Sequence, residues 1–246
     1  MKIKDIRFLY YAPMSWVVVR KLFHKFISPT LVDFSKFNII RNSEEVIIKL
    51  LGNNIPETIK KEFIELQSSL QTKYNSIQLK YPLDYKIEDS TSFLLYSFIR
   101  LYHPLKILET GVANGHSTFF ILNALIKNAK GKLYSIDIDS NVGSLITEDL
   151  KKHWELFILS KTNKKSLGEI FKKLYPVDIF IHDSNHFYYW QELEYNLAFR
   201  FVKKEGFIMS DDVDTSYAFL DFIKRNDLNP FFLYDSRKVF GLVKKK

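Results

Sequence analysis

The chain has 246 residues, of which 46% are hydrophobic and 26% charged, and it contains no cysteine. This composition excludes a disordered chain, a collagen and a disulfide-stapled miniprotein, and it predicts a globular protein large enough for one α/β domain with an appendage. Lys and Arg number 36 against 28 Asp and Glu, a formal charge of +8 that favours anionic partners, although the excess is spread along the chain.

No run of apolar residues reaches the roughly 18 residues that a membrane-spanning helix needs. The nearest run, at residues 8–19, contains Pro13 and Ser15 and is followed by Arg20 and Lys21, so it fits neither a membrane span nor a signal peptide. We therefore expect a soluble, cytoplasmic protein without a transmembrane segment.

The first part of the chain, up to residue 104, has mainly helical patterns. In the first predicted helix Trp16, Phe23 and Phe26 are interleaved with basic residues. Such a stretch could lie on an anionic membrane or contact RNA, but the interpretation that we favour packs its rings onto the rest of the chain or across a homodimer. The predicted helices are at residues 16–27, 44–51, 56–74 and 90–102.

After Pro104, short apolar runs alternate with amphipathic helices, which predicts a parallel sheet covered by helices on both faces. Two further apolar runs, at residues 231–234 and 238–243, predict a terminal hairpin that adds one antiparallel strand. The other predicted strands are at residues 106–108, 133–136, 156–159, 177–181 and 207–209. The helices between them are predicted at residues 117–128, 143–152, 165–174, 187–203 and 216–226.

The first of these strands runs into residues 109–118, Glu-Thr-Gly-Val-Ala-Asn-Gly-His-Ser-Thr, and then into a helix. Ligands of parallel α/β sheets bind at the carboxyl ends of the strands, where glycines let the backbone approach them closely. Asp137 ends the second strand, where an acidic side chain can accept hydrogen bonds from the two hydroxyls of an adenosine ribose. The alternative is a tight strand-to-helix turn with an unrelated surface Asp.

The spacing of this motif, Glu-x-Gly-x-x-x-Gly, differs from the Gly-x-Gly-x-x-Gly of dinucleotide sites. An acidic residue at the start of the loop suits a ligand that carries an ammonium group.

Acidic residues also follow the fourth and fifth strands. Asp183 and the pair Asp211 and Asp212 are predicted to meet at the carboxyl edge of the sheet. Like charges at close range raise each other's pKa, so three converging carboxylates favour a hard divalent cation such as magnesium or calcium. The alternative is that Asp183 and Asp212 cap the helices that follow them.

Together these stretches resemble the class I S-adenosylmethionine-dependent methyltransferases, and in particular the branch called methyltransferase family 24. The resemblance also includes Trp154-Glu155-Leu156 and extends over about residues 81–246, whereas the first 80 residues carry no matching motif. It implies an N-terminal helical region at 1–80 and a cofactor-binding domain at 81–246. The domain is expected to be α/β and doubly wound, with a mostly parallel, seven-stranded, Rossmann-like sheet.

The resemblance also implies roles for individual residues in binding S-adenosylmethionine. Where relatives have a Gly-Asp-Ser-like turn beside the adenine, this chain has Ser160-Lys161-Thr162, which leaves Thr162 as a polar partner of the base. The other roles place Glu109 near the methionine amino group, Gly111 and Gly115 under the cofactor, Ser117 near its carboxylate and Asp137 on its ribose.

Metal-dependent O-methyltransferases among the relatives bind magnesium through acidic residues that correspond to Asp183, Asp211 and Asp212. His186 lies where catechol-type relatives have a basic residue, so the resemblance implies that it is the general base. The alternatives are that His186 opens the following helix or binds the metal itself. Asn185 corresponds to an Asp of sugar-modifying relatives and cannot act as a base.

The resulting prediction is methyl transfer from S-adenosylmethionine to a hydroxyl of a small molecule or glycan, assisted by Mg²⁺ or another divalent cation. Two alternatives belong to other classes of protein. A nucleic-acid methyltransferase would use the positive net charge, and a non-catalytic module would bind the cofactor without turnover.

Overall fold

The structure is a computed structural model that describes residues 32, 34, 36–159 and 164–246. The predicted helix at 16–27 and the predicted adenine contact Thr162 lie outside the described residues. The α-helices are α1 Ser43–Leu51, α2 Glu57–Ser76, α3 Asp89–Tyr102, α4 His116–Lys127, α5 Glu148–Lys151, α6 Lys164–Leu174, α7 Tyr188–Phe201 and α8 Ala218–Arg225. The strands are β1 Ile39–Ile40, β2 Lys106–Thr110, β3 Lys132–Asp137, β4 Trp154–Ile158, β5 Val177–His182, β6 Val202–Ser210, β7 Pro230–Asp235 and β8 Lys238–Lys244.

The described strands form one sheet in the order β1-β7-β8-β6-β5-β2-β3-β4. Strand β8 is antiparallel to both of its neighbours, and the other pairings are parallel. The doubly wound, mostly parallel sheet with a terminal hairpin is therefore confirmed. The expected number of seven strands is corrected to eight, because Ile39 and Ile40 pair with Phe232 and Leu233 at the edge. Two residues are too few to show an alternating pattern in the sequence.

Several predicted helices have different bounds, and two of these differences have a clear physical cause. The helix expected at 143–152 is reduced to the four residues of α5, because the backbone before it bonds to the loop after β2. Gly143 N–H donates to Ala113 O at 2.8 Å, and Leu145 N–H donates to Asn114 O at 3.0 Å. The helix expected at 187–203 ends at Phe201, because Val202 already has extended backbone angles and begins β6.

The sheet separates two apolar cores, and successive strand residues face opposite sides of it. On β2, Ile107 packs into the core under α2, α3 and α4, whereas Leu108 packs into the core under α6, α7 and α8. Phe63 of α2 has its ring centroid 5.0 Å from that of Phe120 of α4. Described residues before position 81 thus share a core with those after it, and the division near residue 80 stays a prediction. None of the described helices is both long and apolar enough to cross a membrane.

Candidate active site

Glu109 lies at the end of β2 and is fully buried. Its carboxylate accepts hydrogen bonds from the hydroxyls of Ser117 at 2.6 Å, Thr118 at 2.8 Å and Ser135 at 2.8 Å. Burial raises the pKa of Glu109, and the three hydroxyls partly offset this rise. The side chain ties β2 to the first turn of α4 and to β3 beneath the loop. The predicted contacts of Glu109 and Ser117 with a ligand remain predictions.

Gly111 makes the sharp turn that follows β2. Its φ of +85° lies in the left-handed region, and an added Cβ would be 1.8 Å from the backbone oxygen of Asp183. Only glycine therefore lets the loop after β2 lie directly against the end of the neighbouring β5. Gly115 has a φ of +90° and is the N-cap of α4. The two predicted glycines thus bound a tight loop at the carboxyl edge of the sheet.

Asp137 lies at the end of β3 and faces this loop. Its Oδ2 accepts a hydrogen bond from the backbone N–H of Val112 at 2.9 Å, while Oδ1 accepts from Ile138 N–H at 2.7 Å and Asp139 N–H at 3.1 Å. A carboxylate has about four acceptor positions, so about one remains for a further donor. Asp137 therefore holds the glycine loop in place and keeps limited capacity for a ligand hydroxyl.

A cavity of about 1030 Å³ opens where these strands end. Its walls come from the loops after β2, β3 and β5, at residues 110–113, 136–139 and 183–186. Leu159 and the half-exposed Ile138 give it an apolar side. Pockets that bind one small ligand commonly have volumes of about 300 to 1,000 Å³, so this cavity has room for two adjacent ligands.

Residues before α3 form one side of the cavity. Tyr81 donates a hydrogen bond to Asp139 at 2.7 Å, and its backbone N–H and C=O both bond to the side chain of Asn114. Arg237 of the β7–β8 turn donates to the backbone oxygen of Asp84 at 2.8 Å and pairs with Glu88. These contacts attach the segment to both the glycine loop and the hairpin. Sequence analysis missed this segment because it has no periodic pattern.

The three predicted carboxylates do converge at the carboxyl ends of β5 and β6. Burial, followed by the charge of Asp211, raises the pKa of Asp183 well above its ordinary value. Burial and the charge of Asp212 raise the pKa of Asp211 to about 7. The alternative role as helix caps is wrong, because α7 and α8 are preceded by Phe187 and Tyr217 and receive no side-chain cap from either Asp.

Lys238, which the sequence analysis did not single out, lies among these carboxylates. Its Nζ is 2.9 Å from Asp211 Oδ2 and 3.2 Å from Asp212 Oδ2. Burial alone would lower the pKa of Lys238, but the charges of Asp211, Asp212 and Asp183 raise it overall. Lys238 is therefore a charged member of the cluster. Lys238 is the first residue of the predicted antiparallel strand, and nothing in the sequence pattern signalled this role.

The arrangement of the cluster does not fit a divalent cation. Carboxylate oxygens are the donors that Mg²⁺ prefers, but two of the three carboxylates already have the Lys238 ammonium as their counter-ion. In the part of the chain that the structure describes, no group of three or more His, Cys, Asp or Glu side chains is arranged to hold a metal ion. The predicted metal ligands Asp183, Asp211 and Asp212 are thus brought together, but around an ammonium group.

His186 lies on the wall of the cavity beside this cluster. Its Nε2 is 3.5 Å from Asp212 Oδ2, and the side chain is 25% exposed, whereas Nδ1 is buried. The alternative in which His186 opens the following helix is wrong, since α7 begins at Tyr188 with Phe187 as its N-cap. The imidazole is thus placed between a carboxylate and the cavity.

Glu194 of α7 is a second residue that sequence analysis missed. Only 1% of it is exposed, and it accepts hydrogen bonds from Thr110, His182, Ser184 and Trp190 at 2.6 to 3.1 Å. It thereby joins the ends of β2 and β5 to α7 at the cavity wall. The sequence did contain a signal for Glu194, which lies on the buried face of α7, one residue before the buried Tyr195.

The strand order, the glycine loop and the cavity at the carboxyl edge are typical of the class I, S-adenosylmethionine-dependent methyltransferase fold. Residues 108–213 match a family model described as a methyltransferase domain. The match takes in the segment whose motifs carry the resemblance, so the chain contains a methyltransferase domain there.

Several solved structures share this fold. An O-methyltransferase from Bacillus cereus, in complex with S-adenosylhomocysteine, is 13% identical with a TM-score of 0.58, and the match covers 82% of this chain and 96% of that one. The O-methyltransferase TomG from Streptomyces achromogenes, in complex with S-adenosylmethionine, is 13% identical with a TM-score of 0.55, covering 72% and 96%. A methyltransferase from Geobacter sulfurreducens is 14% identical with a TM-score of 0.53, covering 74% and 89%. No protein of curated function matches the chain.

Proposed function

We propose that this methyltransferase transfers the methyl group of S-adenosylmethionine to a hydroxyl oxygen of a small molecule or glycan. The observation that carries the proposal is the position of His186, 3.5 Å from Asp212 at the wall of a cavity large enough for cofactor and acceptor. Two similar structures are described as O-methyltransferases and contain S-adenosylmethionine or its demethylated product.

The residues around the glycine loop suit the proposed cofactor. Asp137 keeps one acceptor position for a ribose hydroxyl, and Ile138 and Leu159 offer apolar contacts to a flat base. Gly111 and Gly115 would lie under the cofactor, with Ser117 and Glu109 beneath the loop near its amino-acid end. When bound, the cofactor supplies a methyl group whose C–S bond breaks, with the electron pair left on sulfur, as the O–CH₃ bond forms.

The residues of the chain have to position the acceptor and remove its proton. In the proposed step the neutral imidazole of His186 accepts the proton of the hydroxyl, and the neighbouring Asp212 carboxylate stabilises the imidazolium that results. A hydroxyl is a weak nucleophile until its proton leaves, so this transfer is where the protein contributes to the chemistry. The proposed step does not use a divalent cation, because Lys238 already pairs with Asp211 and Asp212.

The charges of the cavity favour a small neutral acceptor over nucleic acid. Six carboxylate side chains line the cavity, against the two cations Arg237 and Lys238. A phosphate backbone would be repelled by this surplus of negative charge, even though the whole chain has a formal charge of +8. The carboxylates that line the cavity are Asp84, Asp137, Asp139, Asp183, Glu194 and Asp212.

The proposal is tested with the full-length protein and S-adenosylmethionine that carries a labelled methyl group. Small-molecule, glycan and nucleic-acid fractions are each incubated with the protein, and labelled products are identified by mass spectrometry. We expect the label in a methyl ether of a small molecule or glycan, and much less of it with His186→Gln. Label on nitrogen, on carbon or in nucleic acid, or cofactor binding without turnover in any fraction, would contradict the proposal.

A further inference from the structure

We propose that Lys238 is the resident cation of the carboxylate cluster, taking the place that a divalent ion would otherwise have and presenting an N–H group to the acceptor oxygen. The second part rests on the proposed hydroxyl methylation. The first part rests only on the ion pairs of Lys238, so the two can be tested separately.

The ion pairs of Lys238 are shielded from water. Its side chain is 12% exposed, and those of Asp211 and Asp212 are 2% and 18% exposed. Buried charges are stable only when they are paired, and separating one member leaves the others uncompensated. The ammonium group is therefore held between the two carboxylates, because it supplies the positive charge that a metal ion would otherwise supply.

The fold determines where this lysine lies. Strand β8 runs antiparallel to β6, with Gly241 opposite Ser210, the last residue of β6. Lys238 begins β8 three residues before Gly241, so it lies beyond the end of β6, where its side chain reaches Asp211 and Asp212. The hairpin thereby brings a cation to the edge of the sheet where three carboxylates meet.

One N–H group of Lys238 is left for a ligand. An ammonium group has three donors, and among the described residues its hydrogen bonds go to Asp211 and Asp212. Lys238 also lines the cavity, as does His186. An acceptor oxygen that loses its proton to His186 gains negative charge, which a nearby fixed ammonium group stabilises. We therefore expect Lys238 to bind the acceptor oxygen.

The cation role is tested without cofactor or acceptor, by titrating the full-length protein with Mn²⁺ and following free Mn²⁺ by electron paramagnetic resonance. We expect no site-bound Mn²⁺ in the wild-type protein. Lys238→Met keeps the aliphatic stem but removes the ammonium group from among three carboxylates. It should therefore bind Mn²⁺ at one site, at least about tenfold more tightly than any weak binding by the wild-type protein. Its melting temperature should also rise with Mn²⁺, whereas that of the wild-type protein should not.

Lys203→Met is the matched control. Lys203 pairs with Asp178, whose side chain is 10% exposed, away from the cavity. Lys203→Met also leaves a buried carboxylate without its counter-ion. Because this is a single carboxylate, we expect no Mn²⁺ binding. Lys238→Arg keeps the positive charge and should likewise bind no Mn²⁺.

Two results would overturn the cation role. One is Mn²⁺ binding by the wild-type protein that is lost in Asp211→Asn, and the other is folded Lys238→Met that binds no Mn²⁺. If Lys238→Met does not fold, the wild-type titration, compared with Asp211→Asn, still decides the question. These results do not depend on methyl transfer, so they separate this proposal from the proposed function.

The acceptor role is tested by methyl transfer once an acceptor is known. Excess chelator should leave wild-type turnover unchanged, and Lys238→Met should lower it about tenfold or more with unchanged affinity for S-adenosylhomocysteine. Added Mn²⁺ should restore part of the activity of Lys238→Met. Loss of wild-type activity in chelator, or full activity of Lys238→Met, would contradict this role.

Discussion

His182 Nδ1 donates a 2.6 Å hydrogen bond to Glu194 Oε2, and both side chains are buried beside the cavity. Glu194 also accepts hydrogen bonds from Thr110, Ser184 and Trp190, so one carboxylate joins β2, β5 and α7. A site built on strand ends needs such a contact, because the loops that bind ligands have few other constraints. Helix α7, which follows β5, is thus attached directly to the candidate active site.

Glu194→Gln replaces one acceptor oxygen with an NH₂ donor that faces buried donors. We expect it to lower the free energy of unfolding by about 3 kcal/mol, measured by urea denaturation. Glu192→Gln on the same helix is the control, because its pair with Arg225 is partly exposed and should cost less than about 1 kcal/mol. Equal losses in the two variants would show that Glu194 does not organise the site.

His186→Gln removes the proposed base but keeps a polar side chain of similar reach. Turnover with a hydroxyl acceptor should fall about 10²- to 10⁴-fold, which is the usual contribution of acid–base catalysis. Affinity for S-adenosylhomocysteine, measured by calorimetry, should change much less. The control is His153→Gln, since His153 precedes β4 and does not line the cavity. Near-normal turnover of His186→Gln would eliminate the role as base.

Gly111→Ala tests the close contact between the loop after β2 and the end of β5. The new Cβ would be 1.8 Å from the backbone oxygen of Asp183, so the loop has to move and we expect the variant to be destabilised by more than about 2 kcal/mol. Gly52→Ala has a similar positive φ of +72° but open space around the Cβ, so it should cost only about 1 to 2 kcal/mol. Thermal or urea unfolding distinguishes the two. Equal effects would show that the contact is not tight.

The stability of the protein should depend on pH through His116. This side chain is 6% exposed, bonds to Tyr74 and Ser92, and has its pKa lowered to about 3 by burial. In the unfolded chain its pKa is about 6.5, so below that pH the unfolded state binds a proton that the folded state does not. The contribution of neutral, buried His116 to the free energy of unfolding is therefore fully present above pH 6.5 and is lost as the pH falls toward 3.

The free energy of unfolding should fall through His116 by at most about 1.4 kcal/mol per pH unit. Urea unfolding between pH 4 and 8 should show a shallower decline at low pH for His116→Gln than for the wild-type protein. The same slope in both proteins would mean that His116 is protonated in the folded state.

The sequence predicted those parts of the fold that have a periodic or motif signal. Alternating strands and helices after residue 104, together with the loop at 109–118, were sufficient for the doubly wound sheet and the position of its cavity. The reduction of the helix at 143–152 was not predictable, because the tertiary hydrogen bonds that Gly143 and Leu145 donate to Ala113 and Asn114 override an amphipathic pattern. The two-residue strand β1 depends on its partner β7 and has no pattern of its own.

The site was predictable where a residue follows a strand in a recognisable motif. Asp183, Asp211 and Asp212 meet at the carboxyl edge as expected, since the ends of neighbouring parallel strands are adjacent. Lys238 was missed because its position depends on the register of β8 against β6, which the sequence does not reveal. The three predicted metal ligands thus meet a cation, Lys238, that comes from a different part of the chain.

Calorimetric titration of S-adenosylhomocysteine into the full-length protein tests most directly whether the cavity binds the cofactor. We expect one binding site per chain, and affinity weaker by about 1 to 3 kcal/mol in Asp137→Ala, which lacks both the predicted ribose acceptor and the anchor of Val112. Asp149→Ala, at an exposed position of α5, should bind like the wild-type protein. Absence of binding by the wild-type protein, or unchanged affinity in Asp137→Ala, would contradict the assignment of this cavity to the cofactor.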